Sequence, residues 1–158
     1  MARYTQAKLD LDALRHNVGV ARQLAPHSRM MAVVKANAYG HGAVTIAGAL
    51  QSVVDALAVA CIEEAMELGY AGITAPILLL EGGVEAAELA TAAQLDLWLT
   101  IGNERQLRWL EEAKLPAPLS CWLKVDTGMH RLGVAPETVL DFYQRLSASD
   151  NAVDAVVT

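Results

Sequence analysis

The stretch Met31-Ala-Val-Val-Lys-Ala-Asn-Ala-Tyr-Gly-His-Gly42 starts as an apolar run and ends in a polar loop punctuated by two glycines, with Lys35 at the junction. A short apolar run bounded by turn residues suits a strand covered on both faces, as in a parallel sheet. Lys35 then stands at the strand's C-terminal end, where α/β folds gather their functional groups.

Outward from that stretch the pattern repeats. Apolar runs recur at 56–60, 77–80, 95–100, 121–125 and 153–157. Residues 63–68, 84–93, 103–115 and 137–146 between them carry helical spacing, with Asn103 placed as a cap and Pro136 in a first turn. Ahead of the first strand, Leu11, Leu14, Val18, Ala21 and Ala25 share one helical face, and Asp10 is placed to cap it. Strand followed by helix, repeated, predicts right-handed βαβ units and the α/β class. Two architectures satisfy that pattern: an open doubly wound sheet, or a closed (β/α)8 barrel of typically about 250 residues. Periodicity alone does not choose between them. Neither a long linker nor a low-complexity segment interrupts residues 1–158, which read as one unit.

The chain has 158 residues, 54% of them hydrophobic, enough to bury a substantial core. A net charge of -6 with no basic tract argues against nucleic acid and anionic membrane surfaces as partners, leaving a small-molecule function. The polar N-terminus lacks the apolar stretch of a signal peptide, and no apolar run reaches transmembrane length, so a soluble cytoplasmic protein is expected. Cys61 and Cys121, far apart and beside apolar residues, are expected as buried reduced thiols. No metal-ligand spacing is visible, and His41 reads as a loop residue.

Lys35 is the first candidate for chemistry. A partly desolvated lysine amine has a lowered pKa and can condense with an aldehyde cofactor. Tyr39 offers a hydroxyl to a phosphate, and Gly40 and Gly42 permit close approach of the backbone. A second segment, Trp122-Leu-Lys-Val-Asp-Thr-Gly-Met-His-Arg-Leu-Gly-Val134, repeats the layout of strand and polar loop. Arg131 supplies a permanent charge and a planar fork of donors, suited to a carboxylate or a phenolate. Lys124 lies within the strand, where an ammonium is costly to bury unless paired, for example with Asp126, or chemically modified.

Val33-Val-Lys-Ala-Asn-Ala-Tyr-Gly-His-Gly42 closely resembles the cofactor-lysine signature of alanine racemases, and Leu123-Lys-Val-Asp-Thr-Gly-Met-His-Arg-Leu-Gly133 resembles their arginine loop. The resemblance extends over the whole chain, including Leu11-Asp-Ala-Leu-Arg-His-Asn17 and Ile77-Leu-Leu-Leu-Glu-Gly82. It implies the fold-type III pyridoxal-phosphate barrel, a (β/α)8 domain followed in racemases by a smaller β domain. It also implies that Lys35 holds pyridoxal 5'-phosphate and acts as the base on the D-alanine face. Tyr39 would bind the phosphate, and Arg131 would contact the cofactor's phenolate oxygen and the substrate carboxylate. Lys124 matches a position that is carbamylated in some members, where the added negative charge orients the arginine.

The implied function is interconversion of L- and D-alanine, supplying D-alanine for peptidoglycan, in a cytoplasmic homodimer. The alternative is a barrel-only pyridoxal-phosphate carrier without racemase activity. Racemization requires a second acid/base group on the opposite face, which the family takes from a tyrosine in the other subunit's β domain. Tyr4, Tyr39, Tyr70 and Tyr143 do not match that motif. The chain is therefore expected to be the N-terminal part of the barrel domain, with about six β/α units and without the β domain, and to be weakly active or inactive alone.

Overall fold

A computed structural model describes residues 6–158, with Tyr4 and the start of the polar N-terminus outside the described residues. The first helix, α1 (Leu11–Leu24), is capped as its sequence dictates: Asp10 Oδ1 accepts from the N–H groups of Asp12 and Ala13 at 3.1 and 2.9 Å. Six strands follow: β1 (Met31–Val33), β2 (Ala56–Val59), β3 (Ile77–Leu79), β4 (Trp98–Ile101), β5 (Leu119–Leu123) and β6 (Ala152–Val157). Each pairs in parallel with the next, in the order β1-β2-β3-β4-β5-β6.

That order decides what periodicity left open. A doubly wound sheet reverses its strand order at a switch point, whereas here every crossover steps the same way. Crossovers of one hand all stepping in one direction place every connecting helix on the same face. The connecting segments are α2 (Lys35–Gly40), α3 (Ala43–Leu50), α4 (Ile62–Tyr70), α5 (Glu88–Gln94), α6 (Glu104–Glu112) and α7 (Val139–Ala148), the last preceded by a 3-10 turn at Pro136–Thr138.

Alternate strand residues show the two faces. Leu57, Val59, Leu79, Leu99, Ile101 and Leu123 join the main core with helix residues such as Ala47, Leu68 and Leu107. Ala56, Ala58 and Leu78 are equally buried but lie outside that cluster, on the opposite face. That face is concave, because Met31, Ala56, Trp98, Trp122 and Val156, from five different strands, line a single cavity of about 310 Å³. Trp98 and Trp122 stack within it, with ring centroids 5.7 Å apart. The fold is α/β, part of a (β/α)8 TIM-type barrel, with six strands among the described residues.

Several local expectations need correction. Residues 43–50 form α3, which the periodicity did not single out. The strand expected from 95 begins at Trp98, because Leu95 is exposed and Asp96 turns at φ 52. The helix expected from 84 begins at Glu88, with Val84 exposed in the preceding loop. Coverage on both faces holds for β2 and β3, while β1 is mostly half-buried and β6 largely exposed. Cys121 is buried, but Cys61 is only half-buried, since it stands at the strand-end rim just before α4.

Candidate active site at the C-terminal rim

In a parallel barrel all strand C-termini open on one rim, so the loops after β1 and β5 share a mouth. In a closed eight-stranded ring those two strands stand opposite each other. The loop after β1 carries Lys35 and Tyr39, and the loop after β5 carries Lys124 and Arg131.

Lys35 is half-buried and opens α2, where the backbone turns left-handed. Ala36, Asn37, Ala38 and Tyr39 have φ between 49 and 54°. This conformation costs an L-residue roughly 1–2 kcal/mol, less for asparagine, so four in succession form only under external constraint. Asn37 Oδ1 accepts from the Ala43 N–H at 2.7 Å, and the Gly42 N–H donates to the Asn37 carbonyl at 2.9 Å. Gly40 and Gly42 take φ 85° and 91°, which lets the turn exit without further strain. Tyr39 closes the left-handed turn and is 62% exposed, so its hydroxyl is open to solvent and to solutes. His41 Nδ1 sits 2.9 Å from the Ala38 carbonyl and so carries the proton there.

Lys124 lies one residue past β5, half-buried, with its N–H donating to the Ile101 carbonyl at 2.9 Å. It therefore stands at the mouth and not in the sealed core, which removes most of the desolvation cost expected for it. Its suggested partner Asp126 is engaged elsewhere. One Asp126 oxygen accepts from the N–H groups of Gly128 and His130 at 3.0 and 2.9 Å, and the other lies 3.0 Å from His130 Nδ1. These bonds hold the Asp126 carboxyl below the usual carboxylate range, the His130 and Gly128 amides being the main causes. The ion pairs among the described residues involve neither Lys35, Lys124 nor Arg131. The rim thus carries Lys35, Lys124 and Arg131 outside the ion pairs of the described residues, while its carboxylates Glu64 and Asp126 are engaged by backbone amides.

A family model described as the alanine racemase N-terminal domain matches residues 9–158. The chain belongs to the alanine racemase family. The alanine racemase of Pseudomonas entomophila is 55% identical over 147 residues, covering 93% of this chain and 41% of that protein. A catabolic alanine racemase of Pseudomonas putida is 54% identical over 147 residues, with the same shares covered. The crystal structure of the biosynthetic alanine racemase from Pseudomonas aeruginosa superposes with a TM-score of 0.89 at 45% identity, over 94% of this chain and 42% of that one. The chain thus spans about 41% of the length of the curated alanine racemases it matches.

Three rim residues carry no role in the alanine racemase resemblance. Glu64 on α4 takes the Ala36 N–H and the Ala60 N–H on its two carboxylate oxygens, at 2.7 and 2.8 Å. Gln106 on α6 joins the loops after β3 and β4 through the Glu81 carbonyl and the Gly102 N–H. Asn37 braces the lysine turn from within. Each of the first two also acts on a partner more than 20 residues away, which no local pattern signals; Asn37 lies inside the quoted motif without a role.

Proposed function

We propose that this chain is the cofactor-carrying part of an alanine racemase, with residues 1–158 forming the N-terminal portion of its (β/α)8 domain. The observation that supports the reading best is the placement of Lys35 and Arg131 on loops at one rim of a single parallel barrel wall.

The donor set fits pyridoxal 5'-phosphate. Lys35 provides an amine for the aldehyde, Tyr39 an open hydroxyl for the phosphate, and Arg131 an unpaired guanidinium for the phenolate oxygen. When bound, the cofactor supplies an electron sink for a carbanion at the substrate's Cα. Lys35 Nζ would hold the aldehyde and, once displaced from it by the substrate's own amine, would take or return the proton at Cα on the D-alanine face. Arg131 pairs with the alanine carboxylate, and its fork of donors fixes the carboxylate's plane. Lys124, carbamylated, would orient that guanidinium by its acquired negative charge. A second acid/base group is needed on the opposite face, which in this reading comes from the partner in a homodimer. D-alanine made in the cytoplasm would then feed peptidoglycan. No helix among the described residues is long and apolar enough to cross a membrane.

The test is borohydride trapping. Incubation with pyridoxal 5'-phosphate, reduction and peptide mapping should place the label on Lys35, and Lys35→Ala should abolish it. Label on a different lysine, or none on the folded chain, overturns the reading. Racemization of L-alanine, followed by chiral chromatography on the chain alone and mixed with the remaining part of a racemase, separates an enzyme part from a carrier: a carrier is labelled yet gains no turnover from the mixture.

A further inference from the structure

The left-handed turn after Lys35 is braced at both ends. At its far end Asn37 Oδ1 accepts from the Ala43 N–H. At its near end the brace comes from a different β/α unit: Glu64 Oε1 accepts from the Ala36 N–H at 2.7 Å, the first amide after Lys35. Its other oxygen accepts from the Ala60 N–H at 2.8 Å, where β2 ends. Glu64 is half-buried in the first turn of α4, so its carboxylate is held against the rim by the helix it belongs to.

A glutamate in a first helical turn often serves its own helix end, and the Ala60 bond belongs to that role. The Ala36 bond does not, because Ala36 lies 28 residues away on the neighbouring unit. Both oxygens are committed, and each faces an N–H. The amide of a glutamine could satisfy one of them, while its NH2 would confront the other donor.

We propose that Glu64 is a positioning residue for Lys35. Its carboxylate ties the peptide on which the lysine is mounted to the end of β2, and so holds the left-handed turn that aims the amine at the mouth. The consequence for cofactor capture rests on the function proposed above; the brace itself does not.

Hydrogen exchange read by mass spectrometry on residues 35–42 tests the brace without any cofactor. The 158-residue chain would be compared with Glu64→Gln, Glu64→Ala and Arg145→Ala, the last altering an ion-pair cluster between α6 and α7 remote from the turn. Exchange in 35–42 should accelerate at least tenfold in both Glu64 variants and stay unchanged in Arg145→Ala. The rate of borohydride-trapped labelling of Lys35 by pyridoxal 5'-phosphate should fall at least tenfold in the same two variants. Glu64→Gln keeps the side-chain volume and decides the matter should Glu64→Ala fail to fold. Unchanged exchange in 35–42, faster exchange with undiminished labelling, or an equal effect in Arg145→Ala overturns the proposal. Failure of the unsubstituted chain to label at Lys35 refutes the cofactor reading instead, and the exchange comparison then decides the brace alone.

Discussion

Gln106 and Glu81 are joined across two β/α units: the Gln106 amide Nε2 donates to the Glu81 carbonyl at 2.7 Å. The same side chain reaches the Gly83 carbonyl at 3.2 Å and accepts from the Gly102 N–H at 2.9 Å. One side chain, 7% exposed, thereby stitches the loops that follow β3 and β4.

Replacing Gln106 by Leu should therefore cost more than its small change of volume suggests. Two carbonyls and one N–H lose their partner, at about 1–3 kcal/mol for each group left buried and unsatisfied. Urea denaturation should show a lower midpoint with an unchanged slope. Gln106→Glu should be similarly destabilised at pH 7, because an ionised carboxylate faces two carbonyl oxygens. Its folded-state pKa would be raised, so the deficit should shrink as pH falls and the carboxyl regains a proton to donate.

Gly82→Ala should be among the most damaging single-methyl changes. Gly82 sits at φ 72°, and an added Cβ would collide with the Thr100 carbonyl oxygen and lie 2.6 Å from Gln106 Nε2. The left-handed cost of roughly 1 kcal/mol is then compounded by a backbone clash that relaxes only if the loop after β3 moves away from β4. Thermal melting should show a lower Tm than for Gly48→Ala, where no atom lies within 4 Å of the new methyl.

Arg145 lies between Glu104 and Glu111, bonded to both at 2.8–3.0 Å. It holds both carboxyls below the usual glutamate range and is itself raised by them. For a carboxylate with a lowered folded pKa, the contribution is present above the unfolded value of about 4.3 and is lost as pH falls through the folded one. The Tm difference between the unsubstituted chain and Arg145→Ala should accordingly be largest near pH 7 and fade below about pH 4. High salt should reduce it as well, since these groups are largely exposed.

The two thiols should react in sequence. Burial pushes the Cys121 thiol up to about 12, and burial also raises that of half-buried Cys61. At pH 8 a disulfide reagent should modify Cys61 slowly and leave Cys121 untouched until denaturant is added. Prompt reaction of two thiols in native buffer would contradict the packing of β5 against the helices.

Legibility in the sequence followed the range of the interaction. Asp10 and Asn103 cap α1 and α6 as read, because a cap involves residues three positions away. Lys35 and Arg131 stand out as candidates because each sits inside a long motif beside a strand end. The helix Ala43–Leu50 was missed because Ala-Val-Thr-Ile-Ala-Gly-Ala-Leu has no charged face to contrast with its buried one. The pairing of Lys124 with Asp126 was a sound local guess that failed because Asp126 turns back on its own loop.

The amino-acid order by itself determined the alternation of strand and helix, the family, and the two strand-end motifs that carry Lys35 and Arg131, since each is encoded in contiguous residues. Only the folded chain decided that the strands run consecutively around one concave face. It likewise decided that four residues after Lys35 turn left-handed. Intrinsic backbone preference opposes that turn, and the hydrogen bonds it receives come from Asn37 within it and from the Glu64 carboxylate of the neighbouring β/α unit.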